Sequence, residues 1–155
     1  MTAVIQRVLN ACVTCAENTP QEIENGFFIL LGVFKGDKTS DADALALKIS
    51  KLRVFSDKNN KMNLALKDVG GSALVVSNFT LCADYSHGNR PSFFDAEEPV
   101  NAEELYLYFC RSLEELGINV KRGTFGADMQ IRSTADGPVT IIMESSLLTG
   151  EKKCK

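Results

Sequence analysis

Only one histidine, His87, occurs in the 155 residues, so a serine or cysteine nucleophile paired with an imidazole base has a single candidate to draw on. It stands beside Gly88 in a polar stretch, the ordinary setting of a solvated surface histidine, and a protease-type triad is set aside. The five cysteines, Cys12, Cys15, Cys82, Cys110 and Cys154, are odd in number and form no second pair for a zinc site, which predicts free thiols. Cys12 and Cys15 have C-x-x-C spacing, but an odd separation in an alternating stretch puts the two side chains on opposite faces. No Walker A loop or G-x-G-x-x-G fingerprint follows a strand. No apolar run approaches the ~20 residues that span a bilayer. The start, Met1 to Val8, alternates like a strand and lacks the pattern of a secretory signal. No repeat or linker-like run marks a boundary. The expectation is one cytoplasmic domain over residues 1–155 which, if an enzyme, works without cofactor, metal or histidine base.

What is present is a sorted distribution of charge. The formal net charge of −3 argues against broad coating of nucleic acid. Locally, residues 48–67 hold Lys48, Lys51, Arg53, Lys58, Lys61 and Lys67 against one acid, Asp57, whereas residues 95–115 hold seven acids against Arg111. Two ordinary solvated faces would read the same way, but a basic side opposite an acidic one would also orient a polyanion.

Hydrophobic patterning predicts a strand pair over 2–8 and 11–16, then a strand buried on both faces over 26–33. A helix is expected over about 41–52, capped at Ser40, with Leu45, Ile49 and Leu52 on one stripe. Asn59-Asn60 marks a turn, and Gly70-Gly71 breaks the chain before a β-branched strand over 73–77. Residues 82–99 read as a long polar loop, too apolar at Arg90-Pro91-Ser92-Phe93-Phe94 to be solvent filler. A second helix is predicted from Ala102 to Leu116, capped by Asn101 and stopped by Gly117, with strands over 119–125, 128–132 and 139–144 after it. This order suggests a layered α/β domain with a mixed sheet.

Two clusters carry possible chemistry. Ser77, Asn78 and Thr80 bring hydroxyl and amide groups to the end of a buried strand, where they could equally cap the sheet. Asp136-Gly137-Pro138 is first a turn before a strand. An X–Pro bond is also the one peptide bond that adopts cis at a cost of only ~0.5–1 kcal/mol, which would aim neighbouring carbonyls in one direction.

In order, the strings Gly70 to Leu81, Gly88-Asn89-Arg90-Pro91-Ser92-Phe93, Phe125-Gly126-Ala127-Asp128-Met129 and Asp136-Gly137-Pro138-Val139-Thr140 resemble the D-aminoacyl-tRNA deacylase family, also called D-tyrosyl-tRNA deacylase. Ala3 to Val8 and Lys61-Met62-Asn63-Leu64 fit the same pattern, so the resemblance runs from residue 1 to about 146. It implies a homodimer of three-layer α/β/β subunits. These cut the ester between a D-amino acid, or glycine, and the terminal adenosine of tRNA. It implies that Ser77, Asn78, Phe79 and Thr80 line the pocket and do the catalysis. Gly137 and Pro138 would form a Gly-cisPro pair that enters the partner's pocket and excludes L-amino acids. Arg7 would hold that pair, with Met129 and Thr140 beside the substrate. The tRNA 3′ end and a second copy of the chain are the partners implied.

Two departures stand out: the family usually has glutamine where this chain has Asn78, and commonly an asparagine where it has Thr134-Ala135 ahead of the Gly-Pro pair. An aminoacyl ester is already activated, so positioning and oxyanion stabilisation by backbone N–H groups around Phe79-Thr80 would suffice. Either the substrate's 2′-OH or Thr80 Oγ would direct attack, and the 2′-OH is the better candidate because a threonine without a base stays protonated. Two other readings stay open: an L-alanyl-tRNA proofreader of the same fold, against which Arg7 counts, and a non-catalytic tRNA 3′-end binding module.

Overall fold

The computed structural model describes residues 1–15 and 18–150. The first strand, β1, is Thr2–Cys15, a single 14-residue strand rather than a pair. Leu9-Asn10 interrupts the alternation and mimics a turn, yet the chain runs straight through it. Ala3, Ile5 and Arg7 are buried before the break and Ala11 and Val13 after it, Val8 is buried out of phase between them, and the register against the last long strand shifts on either side of Val8. A β-bulge does this without ending the strand.

Strands β2 (Asn18–Ile23) and β3 (Gly26–Gly32) pair antiparallel with the far and near halves of β1. The pairings Ala11↔Ile23 and Thr2↔Gly32 keep one register, so β2 and β3 form a single return strand broken at residues 24–25. β2 was not expected, since Pro20 and the polar run around it hide a strand that lies at the sheet's rim. β3 is buried on both faces, as its unbroken apolar run predicted.

Helix α1 is Thr39–Ser50, two residues earlier than the pattern indicated. Its cap is Lys38, whose N–H donates to Asp41 Oδ2 at 2.9 Å, while Asp43 turns outward to accept from Tyr108 (3.2 Å) and Ser112 (3.0 Å). A small hairpin follows, β4 (Phe55–Ser56) and β5 (Met62–Leu64), with Asn60 at φ 59° in the turn that Asn59-Asn60 announced. β6 (Ser72–Ser77) runs parallel to β3. Gly26 is required at that contact, since a Cβ there would lie 1.9 Å from Ser72 O.

Helix α2 is Pro99–Glu115, starting three residues before the expected Ala102 because Pro99 takes the first helical position behind Glu98 rather than Asn101 acting as cap. β7 (Asn119–Arg122) is shorter than expected and lies parallel to β6. The two predicted last strands are one, β8 (Met129–Glu144), paired to β1 over most of its length. A four-residue helix, α3 (Ser146–Thr149), follows. The sheet therefore runs β8-β1-β3-β6-β7, with β2 extending β3.

The result is a single mixed α/β domain whose sheet curls toward a barrel. α1 and α2 bury Leu45, Ile49, Phe109 and Leu113 against Ile5, Ile29 and Val75 on one face. A second core of strand residues alone, Val8, Ala11, Val13, Ile23, Phe28, Leu74 and Val76, fills the other. Among the described residues, no helix is long and apolar enough to cross a membrane. Cys12, Cys15, Cys82 and Cys110 are in no disulfide among the described residues; Cys154 lies outside them.

Candidate functional site

Ser77 ends β6 opposite Leu31, and the chain is carried past the strand end by the Asn78 N–H, which donates to Leu31 O at 2.8 Å. A 3-10 turn over Phe79–Cys82 begins at once, and Asn78 caps it. Asn78 Oδ1 accepts from Thr80 N–H at 3.1 Å and from Thr80 Oγ1 at 2.5 Å. The side chain is therefore spent on the local turn. An asparagine closes this short ring naturally, whereas glutamine, one methylene longer, does not. Thr80 N–H is consequently engaged, which narrows the donors open to a substrate carbonyl in this turn toward the Phe79 N–H.

Phe79 is 60% exposed and meets Phe93 edge-on, with ring centroids 5.0 Å apart. This contact draws the apolar part of the long loop over the strand end. The loop is more ordered than its polarity suggested, since Asp84 and Ser92 bridge one another and Phe34 bridges Ala96. Lys35 lies over the exposed Phe94 ring at 3.7 Å.

Met129 opens β8 opposite Cys15, and its sulfur lies 2.6 Å from where a Gly123 Cβ would sit, next to Val76. It lines a cleft of about 620 Å³ together with Val13, Tyr106, Arg122 and Phe125. Val76, beside Met129 at Gly123, precedes Ser77, but Ser77, Asn78, Phe79 and Thr80 are not among the residues that line this cleft. Tyr106 donates to Val75 O (3.0 Å) and shares its hydroxyl with Gly123 O (3.2 Å), which fixes the β6–β7 edge of the cleft. Burial pushes the Tyr106 phenol well above its usual range and the neighbouring Cys110 thiol up to about 12, so both stay neutral in the fold.

Gly137 and Pro138 are not in a turn. Between Gln6↔Thr140 and Val8↔Ala135 two steps on β1 face five on β8, so three extra residues bulge from the strand. The Gly137–Pro138 peptide is cis and both residues are exposed. Gly137 admits no side chain, because a Cβ would fall 2.0 Å from Val139 N. Arg7 grips the base of the bulge: Nε donates to Asp136 O at 3.1 Å and pairs with Asp136 Oδ2 at 2.8 Å, while Nη1 donates to Val54 O at 2.5 Å. Thr140 lies beyond the bulge, its hydroxyl 3.5 Å from Gln6 Nε2.

The two clusters occupy different places on the sheet of one chain. The bulge is level with Arg7, which pairs with Phe27 and through it with Ala73, whereas Ser77 is four residues further along β6 and three strands away. At ~3.3 Å per residue and ~4.8 Å per strand the separation over the sheet is roughly 20 Å. Asp136, Val54 and Phe125 went unassigned from sequence. Asp136 and Phe125 lie inside the strings singled out, but the Val54 carbonyl, 47 residues from Arg7, leaves no sequence signal.

The fold is a single mixed α/β domain with a near-barrel sheet, and its strand-end turn of hydroxyl and amide groups lacks the nucleophile elbow of serine hydrolases. The chain belongs to the D-Tyr-tRNA(Tyr) deacylase family, whose model matches residues 4–144. It is 53% identical over 145 residues to the D-aminoacyl-tRNA deacylase of Lacticaseibacillus casei, covering 94% of this chain and 98% of the relative. The D-aminoacyl-tRNA deacylase of Clostridioides difficile is 48% identical over 146 residues, with the same coverage. Among solved structures, the c-Myc DNA Unwinding Element Binding Protein superposes with TM-score 0.85 at 36% identity, over 93% of this chain and 98% of that one. A probable eukaryotic D-amino acid tRNA deacylase shares the fold at TM-score 0.82 and 13% identity, over 93% and 100%.

Proposed function

We propose that the chain hydrolyses the ester between a D-amino acid and the 3′-terminal adenosine of tRNA, as a cytoplasmic homodimer of three-layer α/β/β subunits, each pocket completed by the partner's Gly137 and Pro138. The observation that carries this is the bulge itself, clamped by Arg7, open to solvent and, counted along the sheet, roughly 20 Å from its own chain's Ser77. Such a wedge has a use only in another copy's cleft. The outer edge of the 16-residue β8 has no partner strand among the described residues, and Ile142 (67% exposed) and Leu9 (54%) add apolar surface nearby, which suits burial against a second chain.

In the pocket, the Phe79 N–H polarises the ester carbonyl and the substrate's 2′-OH directs a water onto it. The tetrahedral intermediate collapses with the 3′ oxygen leaving and taking a proton, releasing free amino acid and tRNA. Selection is by exclusion: a D-amino acid turns its α-hydrogen toward the main-chain carbonyls of the wedge, and an L-amino acid turns its side chain there and clashes. Glycine, with no side chain, is admitted. No cofactor or metal enters the scheme. Met129 and Thr140 stand beside the substrate.

Deacylation of D- and L-tyrosyl-tRNA by the parent protein tests the proposal. Rapid loss of the D-ester with the L-ester spared is expected; equal rates would refute it, and binding without turnover would favour a 3′-end binding module. Thr80→Ala retains most activity, and a 2′-deoxyadenosine end abolishes cleavage. The reverse pattern would assign attack to the threonine.

A further inference from the structure

The β4–β5 hairpin collects much of the chain's positive charge and stands at the base of the Gly137–Pro138 bulge. Arg7 joins them, holding Val54 O just before β4 with one nitrogen and Asp136 with another. The hairpin turn is stiff. Asp57 accepts from Asn59 N–H (2.8 Å), Lys61 N–H (3.1 Å) and Asn63 Nδ2 (3.2 Å), and the Asp57 N–H donates to Lys61 O at 2.8 Å. Arg53 lies across it, donating to Asn63 O at 2.6 Å and to the Asn63 side chain.

Lys51, Arg53, Lys58 and Lys61 are exposed, and among the described residues none has a carboxylate within ion-pairing distance. The one acid in the turn is committed to its amides. Cations fixed on a rigid turn without acidic partners form a surface for a polyanion. The opposite sign is carried by exposed Glu104, Glu114 and Glu115 on α2, a surface that repels a polyanion.

We infer that the β4–β5 hairpin of one protomer, through Lys58 and Lys61 at its tip with Lys51 and Arg53 behind them, holds backbone phosphates of the tRNA acceptor stem whose aminoacyl end occupies the partner's pocket. The inference rests on the reading above: a wedge that enters the partner's pocket carries its tethered hairpin to that pocket's mouth, where the duplex next to the 3′ end must pass. The hairpin is thereby a docking surface supplied in trans, and it reads backbone charge without base identity.

The test compares D-tyrosyl-tRNA with D-tyrosyl-adenosine, which has no stem, using the full-length parent, Lys58→Gln/Lys61→Gln and Lys58→Arg/Lys61→Arg. The glutamine variant is expected to lose about tenfold or more in kcat/KM on the tRNA and nothing on the adenosine ester, with the arginine variant near the parent. The slope of log(kcat/KM) against log salt should become shallower by about 0.7–0.9 for each phosphate contact removed. Parent-like turnover of D-tyrosyl-tRNA by the glutamine variant, or equal loss on both substrates, overturns the hairpin assignment. A parent that cleaves neither substrate overturns the deacylase reading instead.

Discussion

Arg7 shows how much one side chain can fix. It is 8% exposed, and its planar fork reaches a main-chain carbonyl on β8, a carboxylate beside it and a carbonyl before β4. Arg7→Ala strips a partner from each, which should cost about 2–3 kcal/mol and raise L-ester cleavage by loosening the wedge. Arg7→Lys should not rescue selectivity, because one ammonium cannot span both sides. Denaturant titration and the D-to-L rate ratio check this; a folded Arg7→Ala protein with unchanged selectivity contradicts it. Asn78 works more locally. Its Oδ1 caps the turn holding Thr80, so Asn78→Ala should lose about 1 kcal/mol, seen as a lower Tm, with Asn78→Gln only partly restoring it. An unchanged Tm would show the cap to be idle.

At the scale of elements, α2 contributes two buried groups that must stay neutral. Burial raises Cys110 from an ordinary value of 9.0 to about 12, and raises the Tyr106 phenol further. A raised folded value means stability is fully present below the unfolded value and is lost as pH climbs toward the folded one. Denaturation midpoints should therefore fall between pH 9 and about 12, with Cys110→Ala flattening the decline. A midpoint constant to pH 11 would contradict the burial of these groups.

The elements also separate what was legible in the sequence from what was not. Both helices and the buried strands β3 and β6 follow from apolar spacing, a local property. The sequence patterns of β1 and β8 each predict two strands, because Leu9-Asn10 and Asp136-Gly137-Pro138 look like turns. Only pairing with a strand more than a hundred residues away turns those breaks into bulges. The same holds for the candidate site. Ser77 to Thr80 could be found from a strand end and a motif, and Arg7 from a resemblance, but the Asp136 and Val54 contacts exist only after the long-range pairing forms.

For the whole molecule, the proposed function makes a single chain incomplete, because the strand-end turn at Ser77 to Thr80 and the Gly137–Pro138 bulge that it combines lie at different places on the sheet. On that reading, combining Thr80→Phe, which crowds the exposed strand-end turn, with an intact wedge gives a chain with no active pocket. Gly137→Ala gives the complement, an intact pocket with a wedge that must reorganise, since the added Cβ would lie 2.0 Å from Val139 N. The D-to-L deacylation ratio of the mixed dimer of these two chains is the most direct measurement. Its one working pocket sits in the Gly137→Ala chain but faces the intact wedge of its partner, so strong D-selectivity should return although the Gly137→Ala homodimer lacks it. A mixed dimer as unselective as the Gly137→Ala homodimer would contradict the shared site.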